Sequence, residues 1–396
     1  MSSRAGRYIE QPTGYQAFLP KPLPPDPPIE WDTDLLQALS DADRAVGRLD
    51  GLARSLPNRD LFVAMYVRHE AVLSSQIEGT QSSLDDILAF EVNAQGVAQP
   101  VDITETVNYV KAMNTGIELL GELPLSGRLI RAVHEELLTD VRGQGRNRGH
   151  FRTSQNWIGP AGATITTATF VPPAPDDLPE AIGQLERYLN DDSTPPIVQA
   201  GLSHVQFETI HPFLDGNGRV GRLLITLLLI EKGVLSEPLL YLSLFLKANR
   251  SEYYDRLSAV RTRGDWEGWL KFFLTGVTIT AQDAAKVAQA VSDLHNLNLR
   301  KASELALGSY GPPLLDLLAA HPIVTVSFVA ERLGASRTTV GQLLGKAAAA
   351  GMIEETTGKK RYRIYRYSPL IDLFATEESP DLQAPDTPQN DKKAGT

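Results

Sequence analysis

The sequence predicts a mainly α fold: an all-helical core interrupted by one β-hairpin, followed by a C-terminal winged helix-turn-helix unit. Three observations carry this. Apolar residues recur at helical spacing through most of the stretch from Leu35 to Leu307. Only one pair of segments, Asn156-Trp157-Ile158-Gly159 and Thr167-Ala168-Thr169-Phe170-Val171, reads as strands around a Gly/Ala-rich turn. Residues 311–374 hold three short helical patterns and then the alternating, basic run Arg361 to Tyr367.

Taken in order, residues 1–34 form a Pro-rich segment. Pro12, Pro20, Pro22, Pro24, Pro25, Pro27 and Pro28 exclude a regular helix, so an extended course over the surface is expected. Residues 35–100 are an N-terminal helical region. Within it Phe62, Met65, Tyr66, His69, Val72 and Leu73 mark one helix face that ends near Glu78-Gly79. The core, residues 101–275, starts with helices at 103–121 and 126–139, continues through the Gly/Arg-rich loop 142–148 and the hairpin, and stops the hairpin at Pro172-Pro173. Helices at 177–190 and 196–210 follow. The apolar run Leu223 to Ile230, closed by Gly233, is a buried helix, too short for a bilayer. Further helices are expected at 235–248, 250–263 and 265–275.

A long amphipathic helix over 277–307 makes 276–310 a connecting helix. In 311–374 helices are expected at Leu314–Leu318, Val326–Leu333 and Arg337–Ala350, the last capped by Ser336 and ended at Gly351. That unit carries eight Lys and Arg against five acids inside a chain of net charge −10, so DNA and a protein partner are both open as its ligand. Residues 375–396 are polar, without periodicity, and expected to be disordered. The chain has no cysteine, which excludes disulfides and thiolate metal sites and fits a cytoplasmic location. The first seven residues lack the apolar core of a signal peptide, so no membrane association is expected.

The chemistry concentrates in His211-Pro212-Phe213-Leu214-Asp215-Gly216-Asn217-Gly218-Arg219-Val220-Gly221-Arg222. A glycine-rich turn opening an apolar helix presents backbone N–H groups and the positive end of the helix dipole, an anion site. Arg219 and Arg222, three apart, add forked donors for phosphate oxygens. His211 is a candidate general base and Asp215 a candidate Mg²⁺ ligand. A calcium loop is excluded, because with Gly216 as its sixth residue His211, Phe213 and Arg222 fall on ligand positions. A P-loop is excluded because no Gly-Lys-Ser/Thr occurs. Phe213 reads as a core anchor and His204 as structural; His69, His134, His150, His295 and His321 show no metal-ligand spacing.

The pattern His-Pro-Phe-x-Asp-Gly-Asn-Gly-Arg-x-x-Arg resembles the signature of Fic-domain proteins, and the likeness extends from about Tyr8 to about Phe374. It implies a protein adenylyltransferase that moves AMP from ATP to a Ser, Thr or Tyr hydroxyl of a target protein, or of itself, and releases pyrophosphate. The implied site has His211 as catalytic base and Asp215 on Mg²⁺. Gly216, Asn217, Gly218, Arg219, Arg222 and Glu78 fall at the ATP, and Tyr253 and Tyr254 beside the nucleoside. The hairpin would be a flap that holds the target segment extended. Ser74-Ser75-Gln76-Ile77-Glu78-Gly79 resembles the family's inhibitory pattern. Ser74, Glu78 and Gly79 are then inhibitory residues, with Glu78 occupying Arg222. Two alternatives stay open: removal of AMP at the same site, and a DNA-binding regulator whose Fic domain senses nucleotide. A homodimer is also left open.

Overall fold

The computed structural model describes residues 4–54, 56, 59–93, 101–141, 147–359 and 362–374. The expected disorder of 375–396, most of the 142–148 loop, and Lys360 and Arg361 of the basic hairpin lie outside them.

The Pro-rich segment opens on strands that its prolines hid. β1 (Gly6–Glu10) and β2 (Gln16–Pro20) form an antiparallel hairpin. Phe18 is buried against Tyr8 and Phe170, and its N–H donates to Val171 O at 2.9 Å, so the hairpin stands beside the expected flap. Arg4 pairs with Glu267 at 2.7 Å and anchors the segment to the core.

The helical pattern after Leu35 divides into α1 (Thr33–Arg54), α2 (Arg59–Ile77) and α3 (Leu84–Asn93). Then come α4 (Val101–Leu120), α5 (Gly127–Leu137), α6 (Leu178–Leu189), α7 (Pro196–Ile210) and α8 (Asn217–Glu231). α7 is buried from Ile197 to Ile210, and α8 along almost all of its length. These two helices are the centre of the core, with α2, α4 and α5 against α8 and α6 and α11 against α7. The apolar run Leu223 to Ile230 of α8 is stable only when enclosed in this way.

Two expectations need correcting. The helix expected at 235–248 is only α9 (Ser243–Ala248), because Pro238 lacks the N–H a continuous helix would need. The helices expected at 265–275 and 277–307 are one, α11 (Trp266–Glu304), after α10 (Arg250–Arg263). Gly276 does not break it; a Cβ there would come within 2.5 Å of the Phe245 ring, so the glycine admits α9. The hairpin at 156–171 is narrower than expected: only Ile158 and Phe170 are bridged, at 2.8 and 3.0 Å.

The C-terminal unit contains α12 (Gly311–Ala320), α13 (Val326–Leu333) and α14 (Arg337–Ala349). β3 (Ile323–Thr325), β4 (Glu354–Glu355) and β5 (Ile364–Arg366) form an antiparallel sheet in the order β3-β5-β4. Ser336 Oγ caps α14 through Thr339 N–H at 3.1 Å. The unit packs on the N-terminal helices: α12 lies on α2, β3 on α3, and Arg366 pairs with Asp85 at 2.9 Å. Among the described residues no helix is long and apolar enough to cross a membrane.

Candidate active site

α7 ends at His211, whose backbone turns left-handed (φ 48°) and so breaks the helix at the start of the motif. The loop 212–216 is braced from inside and outside. Asn217 Oδ1 accepts from Phe213 N–H and its Nδ2 donates to Phe213 O, both at 2.8 Å. Phe213 is fully buried and stacks on the His134 ring at 3.7 Å between centroids. His134 Nδ1 accepts from Gly149 N–H at 3.0 Å, so its Nε2 carries the proton and donates to Asp215 O at 3.1 Å. Burial pushes that imidazole down to about 4, which fits a neutral ring at working pH. From the flap side Arg152 Nε donates to His211 O at 3.0 Å, and Asn156 Nδ2 to Phe213 O at 2.8 Å.

Gly216 is the N-cap of α8 with φ 76°, a conformation that favours glycine. The first-turn N–H groups of α8 and the residues Glu78, Gly79, Thr80, Glu105, His211 and Leu214 to Arg219 enclose a polar cleft of about 310 Å³. His211 lies at this cleft with Nδ1 turned into the protein and unpartnered. Burial, then the nearby charges of Arg261 and Arg152, push its imidazole down to about 3, so the ring is neutral at physiological pH.

The two motif arginines, both buried, are held by different helices. Arg222 donates from Nε to Ser74 Oγ at 2.8 Å, and from Nη2 to Ser74 O at 3.0 Å and Glu78 Oε1 at 2.8 Å. Burial alone would raise the Glu78 carboxyl, but the charge and hydrogen bond of Arg222 outweigh it and hold it below the usual value. Arg219 reaches the other way, to Glu105 of α4 at 3.3 Å, and its Nε is left without a partner. Gly218 makes room for Glu78, since a Cβ there would lie 2.2 Å from Glu78 Oε1.

The structure brings Ser74, Glu78, Gly79, His211 and residues 215–219 and 222 together. It does not bring Tyr253 to the cleft. Tyr253 is 1% exposed and its hydroxyl donates to His204 Nε2 at 2.8 Å, while His204 Nδ1 donates to Gly221 O at 3.0 Å. A phenol locked into the core in this way offers no face to a purine. Tyr254 is 42% exposed beside Arg250 and keeps a face outward. Glu105, His134, Arg152 and Asn156 escaped sequence reading because their contacts with residues 211–219 span 55 residues or more. Glu208 did carry a local signal, three residues before His211 on the same helix face.

Residues 36–118 match the Fic/DOC family N-terminal profile and residues 124–229 the Fic/DOC family profile. The chain carries a Fic domain. The N-terminal match supplies Glu78 and Glu105, and the Fic match supplies His211 to Arg222, so the cleft lies where the two meet. A probable protein adenylyltransferase of Aquifex aeolicus is 30% identical over 176 residues, 44% of this chain and 51% of its own length. The protein adenylyltransferase Fic of Drosophila ananassae is 28% identical over 258 residues, 60% of this chain and 47% of its own. The chain thus spans about half the length of these curated relatives. A Fic family protein from Desulfovibrio desulfuricans shares the fold with a TM-score of 0.56 at 22% identity, over 86% of this chain and 97% of that one.

Proposed function

We propose that this Fic domain transfers AMP from ATP to a Ser, Thr or Tyr hydroxyl of a target protein, and to itself. The observation that carries the reading is a neutral histidine at the mouth of an anion-binding helix terminus, with two buried arginines in the helix's first two turns. Naming of the relatives as adenylyltransferases points the same way.

In this reading the α8 N-terminus at Gly216, Asn217 and Gly218 binds phosphate oxygens. Arg219, with an unpartnered Nε, and Arg222 hold the outer phosphates. The hydroxyl oxygen attacks the α-phosphorus, its proton passes to His211, and the bond to pyrophosphate breaks. Asp215 offers a single carboxylate beside the nest, which fits Mg²⁺ bound chiefly by phosphates and water. When bound, that ion would screen the phosphate charge. Tyr254 is the aromatic face available to the adenine.

Glu78 restrains this activity. While it and Ser74 occupy Arg222, the guanidinium is withheld from the γ-phosphate. Over a third of the Glu78 side chain is exposed at the cleft, where it can also orient a water for removal of AMP. A second reading concerns α14, whose Arg337, Thr338, Gln342 and Lys346 are exposed on a helix preceded by its Ser336 cap. That surface suits a DNA groove, and a mixed-duplex binding measurement with its salt slope tests it.

The direct test is mass spectrometry of the purified chain after incubation with ATP and Mg²⁺. An added AMP, absent from His211→Ala, supports the reading; no adduct in wild type or in Glu78→Gly, with ATP bound, removes it.

A further inference from the structure

We infer that Glu208 is a positioning residue for His211, its carboxylate taking the Nδ1 proton so that Nε2 is the basic nitrogen left for the cleft. The inference rests on the AMP-transfer reading above.

Two buried polar atoms beside each other lack partners: His211 Nδ1 and Glu208 Oε1. The other carboxylate oxygen, Oε2, lies 3.9 Å from Nδ1, beyond a hydrogen bond but within a small side-chain rotation of one. Glu208 is buried on α7, one turn before the histidine, and takes no part in holding the phosphates. Space for it is specifically left by α8, where a Cβ on Gly221 would sit 2.7 Å from Glu208 Oε1.

The charges around the pair make an anion useful. Arg261 of α10 and Arg152 of the flap side both disfavour a positive imidazole, and Glu78 at the end of α2 favours it. Arg222 of α8 and Arg261 act on Glu208, as does Glu78, and Tyr253 of α10 faces it too. When the hydroxyl proton moves to Nε2, the ring carries one proton on each nitrogen and one positive charge in this surrounding. A carboxylate at Nδ1 offsets that charge and fixes which nitrogen accepts. The Glu208 carbonyl also faces the ring, where it favours the charged imidazole, and it accepts from Arg261 Nη2 at 3.2 Å.

A pH signature follows. Burial pushes the Glu208 carboxyl up to about 7. Below that, the carboxyl is protonated and no longer offers an anion to Nδ1, so the positive charge that reaches the ring during transfer is left uncompensated. Transfer is therefore lost as pH falls through about 7, whereas His211 itself stays neutral down to about 3.

The test uses full-length Glu78→Gly as parent and compares it with Glu78→Gly/Glu208→Gln. The expected result is a kcat lower by about tenfold or more with KM for ATP held, and loss of the acid limb near neutrality. Unchanged kcat would leave the carbonyl alone as the ring's partner and overturn the inference. A joint loss of kcat and ATP binding would mark Glu208 as merely structural and overturn it too. If the variant does not fold, ¹⁵N NMR of the seven histidines in the wild-type chain decides, with His211→Ala giving the assignment. A proton on His211 Nδ1 at pH 8, with ring shifts that change as pH falls through about 7, supports the inference; a proton on Nε2, or ring shifts flat across that range, overturns it. A parent that binds ATP but transfers no AMP would instead sink the transfer reading, and the NMR result would stand apart from it.

Discussion

A Cβ built on Gly218 would meet the far end of Glu78, a side chain able to swing away but only by leaving Arg222. The two positions are therefore coupled, and neighbours that share one interaction are not additive. In the wild-type chain Gly218→Ala should lose up to about 1 kcal/mol through the broken pair, a modest figure because Glu78 is partly exposed. In Glu78→Gly the same substitution should cost nearly nothing beyond its local effect. Thermal melts of the four proteins check this; equal losses in both backgrounds contradict it. Glu78→Gly alone should raise AMP transfer, about tenfold for each 1.4 kcal/mol of restraint removed. A passive ion pair would leave transfer flat, so rates on the folded variant separate the two. Residues 211–222 were legible because the motif is contiguous, whereas Glu78 meets Arg222 across 144 residues and only the resemblance to the inhibitory pattern pointed to it. Glu105 and His134 were not, because only tertiary packing sets them against Arg219 and Asp215.

At the scale of elements, α11 shows how a glycine can mislead. Read alone, Gly276 in a helical pattern suggests a break; in place it admits the Phe245 ring of α9. On an exposed helix Gly→Ala gains about 1 kcal/mol. Here Gly276→Ala should lose about 1–3 kcal/mol, because the added methyl overpacks the α9 contact. Urea unfolding measures this, and a stabilised variant would contradict the packing described. The β1–β2 hairpin was hidden for a related reason. Its strands are short and Pro-flanked, and what holds them is Phe18 against Tyr8 and Phe170, a contact across 152 residues that no local pattern reports. Of the two central helices, the apolar run Leu223 to Ile230 of α8 was legible as buried, whereas α7 was not, because it buries Gln199, Ser203, His204, Gln206, Glu208 and Thr209.

The whole molecule ties its C-terminal unit to α2, the helix proposed to carry the restraint. The Phe374 ring lies 5.2 Å from that of Tyr66 and 6.1 Å from that of His69, both on α2, the helix that leads into Glu78. Phe374→Ala should loosen that helix and raise transfer several-fold, corresponding to roughly 1 kcal/mol of lost restraint. In a Glu78→Gly background the same change should raise nothing, since the restraint is already gone. Rates for the four proteins check this, and an equal rise in both backgrounds would contradict it. The overall mainly α plan was legible because helical periodicity is local; the seat of the C-terminal unit on α2 and α3 was not, because Arg366 and Asp85 meet across 281 residues. The central claim is that the cleft moves AMP, and one measurement addresses it most directly. Glu78→Gly protein is incubated with Mg²⁺ and ATP labelled at the α-phosphate in one arm and at the γ-phosphate in the other. The account predicts protein-bound label from the α position only, abolished by adding His211→Ala. Label from the γ position, or α-label that persists without His211, would contradict it.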